Sequence, residues 1–403
     1  MTCPGTGLPV DTADVSLRPS ATHTSPTNIA GLLWSVVAAN ELGLVTRATA
    51  RRQCARTLTT LRGMDRHDVS GMYENWYDAA TADPSPTYRR PAQPFVSSVD
   101  NGWLGAALLL VAEAGLGDGA LDLAEGMDFT VFESPLDEHG PLHGGFWLRR
   151  TRRPSVPSCE LGDGSTVQLT PHRYTMANSE TRITELVALA LGQRSELALD
   201  NLSAPRRTYL GREVVATWGG SMFEALAPAI LVPEPEWAPD TWGANHATTV
   251  ALHANHAESL GDPVWGFSPS MRPGGGYVEF GVPLIAAGAG YPSQWRGRSV
   301  ITPHAAAIAL TVCPEMAHRN LVELAAIPGA YASGGFVDSV MLGSRGARPA
   351  DRYLSLDQAF MLGGLANVLT DAALTQGFQA PATASRVRPV VADPDWFVQP
   401  AAS

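Results

Sequence analysis

The sequence predicts an all-α protein, an (α/α)6 toroid in which about six helical hairpins form an inner and an outer ring, with a few short strands in the loops. Three observations predict it. Helix-length apolar stretches recur along the chain and are separated by more polar helical stretches. A helix that is apolar all round is buried, and an amphipathic one covers it, so alternation of the two kinds implies two nested layers. Strand signals are sparse, and no fixed period supports an α-solenoid of repeats.

The first apolar stretch, SPTNIAGLLWSVVAANELGLV, begins with Ser25 as a helix cap and Pro26 at the first helical position. A helix over residues 47–64 follows, with arginines along one face. Further apolar helices are expected to start near Ser98, Ser179, Ser221, Thr302 and Ser355, and the stretch Tyr277–Ala287 is read as one more. Residues 248–261 and 314–327 read as covering helices. FTVFES and GGFWLRR carry the strand signals. Residues 1–23, rich in Thr, Pro, Ser and Gly, read as a disordered lead-in, residues 24–378 as the body, and residues 379–403 as a tail in which Trp396 and Phe397 dock back.

Composition excludes several classes of function. The 403 residues carry a net charge of −11, which opposes nucleic-acid and anionic-membrane partners. There is no lysine, so Walker-type phosphate loops and Schiff-base chemistry are excluded. Cys3, Cys54, Cys159 and Cys313 form no C-x-x-C pair. His246, His253 and His256 come closest to a histidine cluster but bring no partnering ligand set, so no metal and no cofactor are expected. No apolar run reaches the length of a membrane-spanning helix, and the N-terminus has no secretory h-region. The run Arg149, Arg150, Arg152, Arg153 reads as a solvated loop.

One design recurs. Asp100 lies three residues after Ser97, Glu180 follows Ser179, Glu224 lies three after Ser221, and Asp357 two after Ser355. Each acid falls in or beside the first turn of an apolar helix. Ser221 and Glu224 have the form of a capping box. Acids are favoured at helix starts by ~0.3–1 kcal/mol in any case, so capping alone accounts for any one of them. If the inner helices run parallel, however, the four carboxyl groups converge on one mouth. The motifs NWYD, DNGWL, TWGGSMFE, WGFSPSMRPGGGYVEFG and GGFVDS set Trp76, Tyr77, Asp78, Trp103, Trp218, Trp265, Tyr277 and Glu279 around them. Rings facing sugars, with carboxylates close by, describe a saccharide groove. Paired carboxyl groups suit glycosidic cleavage: one protonates the leaving oxygen, the other activates water or attacks.

At these motifs the chain resembles a known group. NWYD, SSVDNGWL, ANSETR, WGGSMFEAL, WGFSPS, GGYVEFG, VITPHAAAIAL, GGFVDSV and YLSLDQAFMLGGLANVLTD occur in an order similar to the bacterial glucoamylase-like family, from about Ser25 to Phe378. That family includes endo-β-1,2-glucanases and the transglycosylating domain of cyclic β-1,2-glucan synthases. The resemblance implies an (α/α)6 barrel with a wide cleft, hydrolysis of a β-linked glucan, and a location outside the cytoplasm, extracellular or periplasmic. It makes Glu180 the general acid and matches Asp100 to the second carboxylate of an Asp-x-x-Glu motif. This chain departs there, with Ser97 at the first position and Asp in place of Glu. Glu224 and Asp357 match recurrent acidic positions, and Asp78 would bind a sugar hydroxyl. A transglycosylase of the same family and a non-catalytic glycan-binding toroid are the alternative readings, the latter motivated by the Ser97 departure.

Overall fold

Ser25 accepts a hydrogen bond from the Asn28 N–H, and Pro26 opens the first helix, so one polar cap and one preset φ start the fold where the sequence predicts. The structure is a computed structural model that describes residues 2–85, 94–134, 137, 140–148, 158–195, 199–344 and 346–394. Among them are thirteen α-helices, α1 (Pro26–Glu41), α2 (Arg47–Gly63), α3 (Ser98–Glu113), α4 (Ala120–Glu125), α5 (Arg182–Ala190), α6 (Met222–Leu226), α7 (Glu234–Trp237), α8 (Ala244–Ser259), α9 (Pro303–Ala309), α10 (Pro314–Ala326), α11 (Ser355–Leu369), α12 (Gln376–Gln379) and α13 (Pro381–Ala392). The sheets are small, of two or four strands.

Two kinds of helix are present, as the alternation requires. Every residue of α5, α6 and α9 is buried, and α1 and α3 are buried on most of their circumference. By contrast α2 buries only Ala50, Cys54, Thr57, Leu58 and Leu61, and α10 only Ala317, Asn320, Leu321 and Leu324. The buried helices touch in succession: α5 against α3, α3 against α1, α1 against α11, α11 against α9, and α9 against α6. Arg182 of α5 donates to the Glu224 and Ala225 carbonyls of α6 and joins the two ends of this series. The amphipathic helices lie outside it, α2 on α1, α4 on α3, α8 on α6, α10 on α9 and α13 on α5.

Aromatic rings fill the middle. Trp34 of α1, Trp103 of α3 and Phe360 of α11 pack with centroids 5.1 to 5.8 Å apart, and Phe223 of α6 adds an edge contact to Phe360 at 5.1 Å. The helices approach closely because of glycine. A Cβ on Gly102 of α3 would lie 2.3 Å from the Thr184 hydroxyl of α5, and one on Gly364 of α11 would lie 2.1 Å from the Ala307 carbonyl of α9.

Several local expectations are corrected. FTVFES forms a 3-10 turn over Phe129–Phe132, because Asp128 Oδ1 accepts from the Thr130 N–H and hydroxyl and winds the chain. GGFWLRR does supply a strand, Gly145–Trp147, between Phe95–Ser97 and Thr166–Leu169. Tyr277–Ala287 is no helix: Tyr277–Val278 pairs with Ser270–Met271, and Pro283 starts a 3-10 turn. After Ser221 the helix stops at Leu226, because Pro228 has no N–H to continue it. Residues 2–23 are not a disordered lead-in. Leu8, Val10 and Ala13 are buried, and Thr12–Asp14 pairs antiparallel with Arg352–Leu354. Beyond residue 378 the chain continues into α13, which buries Val387, Val390 and Val391. Trp396, Phe397 and the arginines at 149, 150, 152 and 153 lie outside the described residues. All four cysteines are free thiols, and no helix among the described residues is long and apolar enough to cross a membrane.

Gly364→Ala is expected to destabilise the chain by about 1–3 kcal/mol, because the new methyl meets a backbone carbonyl that no rotamer change can move. Urea unfolding measures it, and an exposed control such as Gly211→Ala bears only the strain of its positive φ.

Candidate active site

The stretch WGGSMFE contains the local logic of the site. Ser221 Oγ accepts from the Glu224 N–H at 3.1 Å, and Glu224 Oε2 accepts from the Ser221 N–H at 3.3 Å, which closes the capping box. The same oxygen accepts from the Gly219 N–H at 3.1 Å and the Ser221 hydroxyl at 3.0 Å. Both glycines are required. A Cβ on Gly219 would overlap the Tyr291 ring at 2.0 Å, and Gly220 has φ +77 with the Val282 carbonyl where its Cβ would be. Glu224 is therefore a helix starter that also faces a cavity. That cavity, of about 400 Å³, is lined by Glu180, Glu224, Glu279, Trp218, Tyr174 and Tyr291 among others.

Glu180 stands directly before α5 and is half-buried. The Trp103 indole N–H donates to its Oε2 at 3.2 Å. Burial, with the charges of Asp100 and Glu224 adding to it, pushes the Glu180 carboxyl up to about 8, and the Trp103 hydrogen bond offsets only part of this. Asp100 sits in the first turn of α3, its N–H on Ser97 Oγ. Thr27 of α1 donates to Asp100 Oδ1 at 2.6 Å. With its nitrogen turned to Asp100, the Asn75 amide donates to Oδ2 at 2.8 Å while its oxygen accepts from Trp76 Nε1 at 3.0 Å. Burial raises both Asp100 and Glu224 against these donors.

Glu234 shows what a counter-charge does. It is fully buried, but Arg182 Nε and Nη2 grip its two oxygens at 2.6 and 2.8 Å and His246 Nε2 lies 2.9 Å away. Burial raises Glu234, yet Arg182 and His246 outweigh it and hold the carboxyl down at about 2. No such cation reaches Glu180 among the described residues. The mouth thus holds a carboxyl group that keeps its proton near neutral pH beside two further acids.

The structure brings Asp100 and Glu224 each within electrostatic reach of Glu180. Trp218 lies at the cavity with 55% of its surface exposed, and Glu279 is exposed on the same lining. Tyr277 has an exposed ring (55%), and its hydroxyl end is crowded: burial first, then the charges of Asp357, Asp338, Glu180 and Glu279, raise the phenol well above its usual range. Other expected wall residues lie elsewhere. Trp103 is buried under Glu180 and offers no face to a sugar. Tyr77 is in the core, its hydroxyl donating to the Asp65 carbonyl and accepting from the Glu74 N–H, because a buried phenol must satisfy its oxygen locally. Asp78 caps a turn through the N–H groups of Ala80 and Thr81. Trp265 is buried with its backbone held by Asn320. Trp76 is half-buried, edge-on to His23. Asp357 is 3% exposed and faces His304 Nδ1 at 3.3 Å. Tyr174 and Tyr291 were not legible as site residues; Tyr291 follows Gly290, and that glycine-aromatic pairing was its one cue. The three histidines of α8 go separate ways, His246 to Glu234, His253 to the Phe267 N–H, and His256 to Ser293.

Residues 175–379, half of the chain and including Glu180 and Glu224, match the Glycoamylase family model, whose description reads "Putative glucoamylase". The chain belongs to this family. Among curated relatives of the chain is the cyclic β-(1,2)-glucan synthase NdvB of Rhizobium meliloti (strain 1021), 28% identical over 252 residues. That alignment covers 59% of this chain and 8% of the synthase, so the chain spans a small part of that relative's length. The fold is shared with endo-β-1,2-glucanase from Chitinophaga pinensis, solved in complex with sophorotriose and glucose, at a TM-score of 0.75 and 14% identity over 97% of this chain and 93% of that one. Endo-β-1,2-glucanase from Talaromyces funiculosus, solved with sophorose, has a TM-score of 0.75 and 13% identity over 100% of this chain and 87% of that one.

Proton linkage at Glu180 has a definite sign. Its carboxyl is pushed up to about 8 in the folded chain against an ordinary 4.5. The linked stability is fully present below the ordinary value and is lost as pH rises through the folded one. Glu180→Gln, which keeps an acceptor for Trp103, is expected to match wild type in thermal midpoint at pH 4 and to exceed it at pH 9. Calorimetric scans across pH check this.

Proposed function

We propose that the chain is a glycoside hydrolase that cleaves a β-linked glucan, with endo-cleavage of β-1,2-glucan as its reaction, on an (α/α)6 toroid whose inner-helix starts form the cleft. The observation that carries this reading is Glu180: a carboxyl group that keeps its proton near neutral pH, held by an indole N–H at the edge of a cavity, beside Asp100 and Glu224. That is the requirement for a general acid working next to an ionisable partner. The similarity to a cyclic β-(1,2)-glucan synthase and to endo-β-1,2-glucanases supports the choice of substrate.

In this reading Glu180 gives its proton to the glycosidic oxygen as the bond to the anomeric carbon lengthens. Glu224 lines the same cavity and is the second carboxyl group, taking a proton from water or receiving the anomeric carbon. Its Oε2 is locked by the backbone donors of its own cap, so the other oxygen remains for the chemistry. Asp100, fixed by Thr27 and Ser97, acts through its charge, which strengthens the hold of Glu180 on its proton. Trp218 and Tyr291 flank the acids and give rings on which pyranose faces can rest.

Incubation with linear β-1,2-glucan, read by product chromatography, is expected to give shorter β-1,2-linked oligosaccharides, and absence of product on this and on other β-glucans sinks the proposal. Glu180→Gln and Glu224→Gln should each lower kcat by about 10²–10⁴-fold without loss of fold. The alkaline limb of the rate profile should fall near the Glu180 value of about 8. Trp103→Phe removes a hydrogen bond that favours the ionised form, so that limb should move to higher pH.

A further inference from the structure

A second group of titratable side chains lies outside the acid set used above. His304 is the second residue of α9, Asp357 is in the first turn of α11, and Asp338 follows the short strand Gly335–Phe336. They are 1%, 3% and 1% exposed respectively. One donor atom from each lies within 4.8 Å of the donor atoms of the other two. His304 Nδ1 and Nε2, Asp338 Oδ1 and Asp357 Oδ2 have no hydrogen-bond partner. The second Asp338 oxygen accepts from the Met271 N–H, which ties the group to the hairpin that carries Tyr277.

Such an arrangement is costly as it stands. Two carboxyl groups share a buried space, and among the described residues no arginine pairs with either. His304 Nε2 is unused beside them, and its Nδ1 faces Asp357 Oδ2 at 3.3 Å. A neutral imidazole offers a ring lone pair. Either the two acids share a proton or a cation fills the gap. The histidine favours the cation. A proton shared between the two carboxyl groups leaves His304 Nε2 and Asp338 Oδ1 without a partner, whereas one imidazole nitrogen and two carboxylate oxygens form a familiar donor set for zinc or manganese.

We propose that His304, Asp338 and Asp357 form a binding site for one divalent cation of the Zn²⁺ or Mn²⁺ type, where the starts of α9 and α11 meet the Asp338 loop. Two carboxylates neutralise the cation's charge. The cation pins the starts of α9 and α11 and the Asp338 loop to one point. Three protein ligands leave coordination positions for water or for hydroxyl groups of a bound ligand. Binding of the cation does not depend on the glycosidase reading, and its readout is metal content.

The full chain, stripped by dialysis against a chelator, is titrated with ZnCl₂ and with MnCl₂ by calorimetry. Expected is uptake of one cation per chain, with a thermal midpoint that climbs with its concentration. His304→Gln and Asp338→Asn should weaken uptake by at least about tenfold. The wild-type chain supplies a measurement that no folding defect can obscure: the ¹⁵N shifts of the His304 ring should change on addition of Zn²⁺. No uptake, uptake that the two variants leave unchanged, or an unperturbed His304 ring overturns the proposal and leaves a proton-sharing acid pair. Loss of glucan cleavage with metal uptake intact would count against the hydrolase reading alone.

Discussion

Arg182 commits its guanidinium to Glu234 and to the carbonyl end of α6, and the character of the mouth depends on that commitment. Pro228 ends α6 early and leaves the Glu224 carbonyl without its helical partner. Arg182 supplies the missing donor, holds Glu234 through both oxygens, and lies under the Trp242 ring at 4.5 Å. One buried cation thereby joins α5 to α6 and is fully occupied two residues from Glu180. The neighbouring acid is left with an indole as its donor. Two glutamates thus end on opposite sides of neutrality, Glu234 near 2 and Glu180 near 8. A chain without lysine has few ways to undo that split.

The convergence of acids follows from the same economy of partners. Ser97 and Ser221 each cap a buried helix with a side-chain oxygen, which frees the following acid from capping alone. At Glu224 one oxygen caps and the group still lines the cavity. At Asp100 the hydroxyl of Thr27, on the neighbouring helix, fixes the carboxyl from the side. At Glu224 the cap and the catalytic candidate are therefore one residue, and neither role excludes the other.

Much of this was legible in the sequence, and the reasons differ by element. Buried helices announce themselves by being apolar on all faces, so α1, α3, α9 and α11 could be placed within a residue or two. The capping box at Ser221 is local, and local signals read well. What failed was anything decided by contacts across the chain. Tyr77 and Trp265 resemble cleft aromatics in sequence, but packing buries them. Phe129–Phe132 has strand composition and is wound by one Asp128 turn. Thr12–Asp14 looks featureless until its partner strand, 340 residues onward, is known. His304, Asp338 and Asp357 carry no spacing signature, because three separate elements bring them together.

That last pairing bears on how the polypeptide reaches its final state. Thr12–Asp14 joins Arg352–Leu354, and the Trp34 indole donates to the Ala359 carbonyl across a sequence separation of 325 residues. Helix α1 is apolar nearly all round, yet one of its flanks is covered only by α11. On a ribosome, α1 emerges long before α11 exists, so that flank stays wet through most of synthesis and is exposed to unwanted association. Contacts of such separation also slow the final closure. Shielding by a chaperone during translation would be felt most at α1, made long before α11 and among the last to be enclosed.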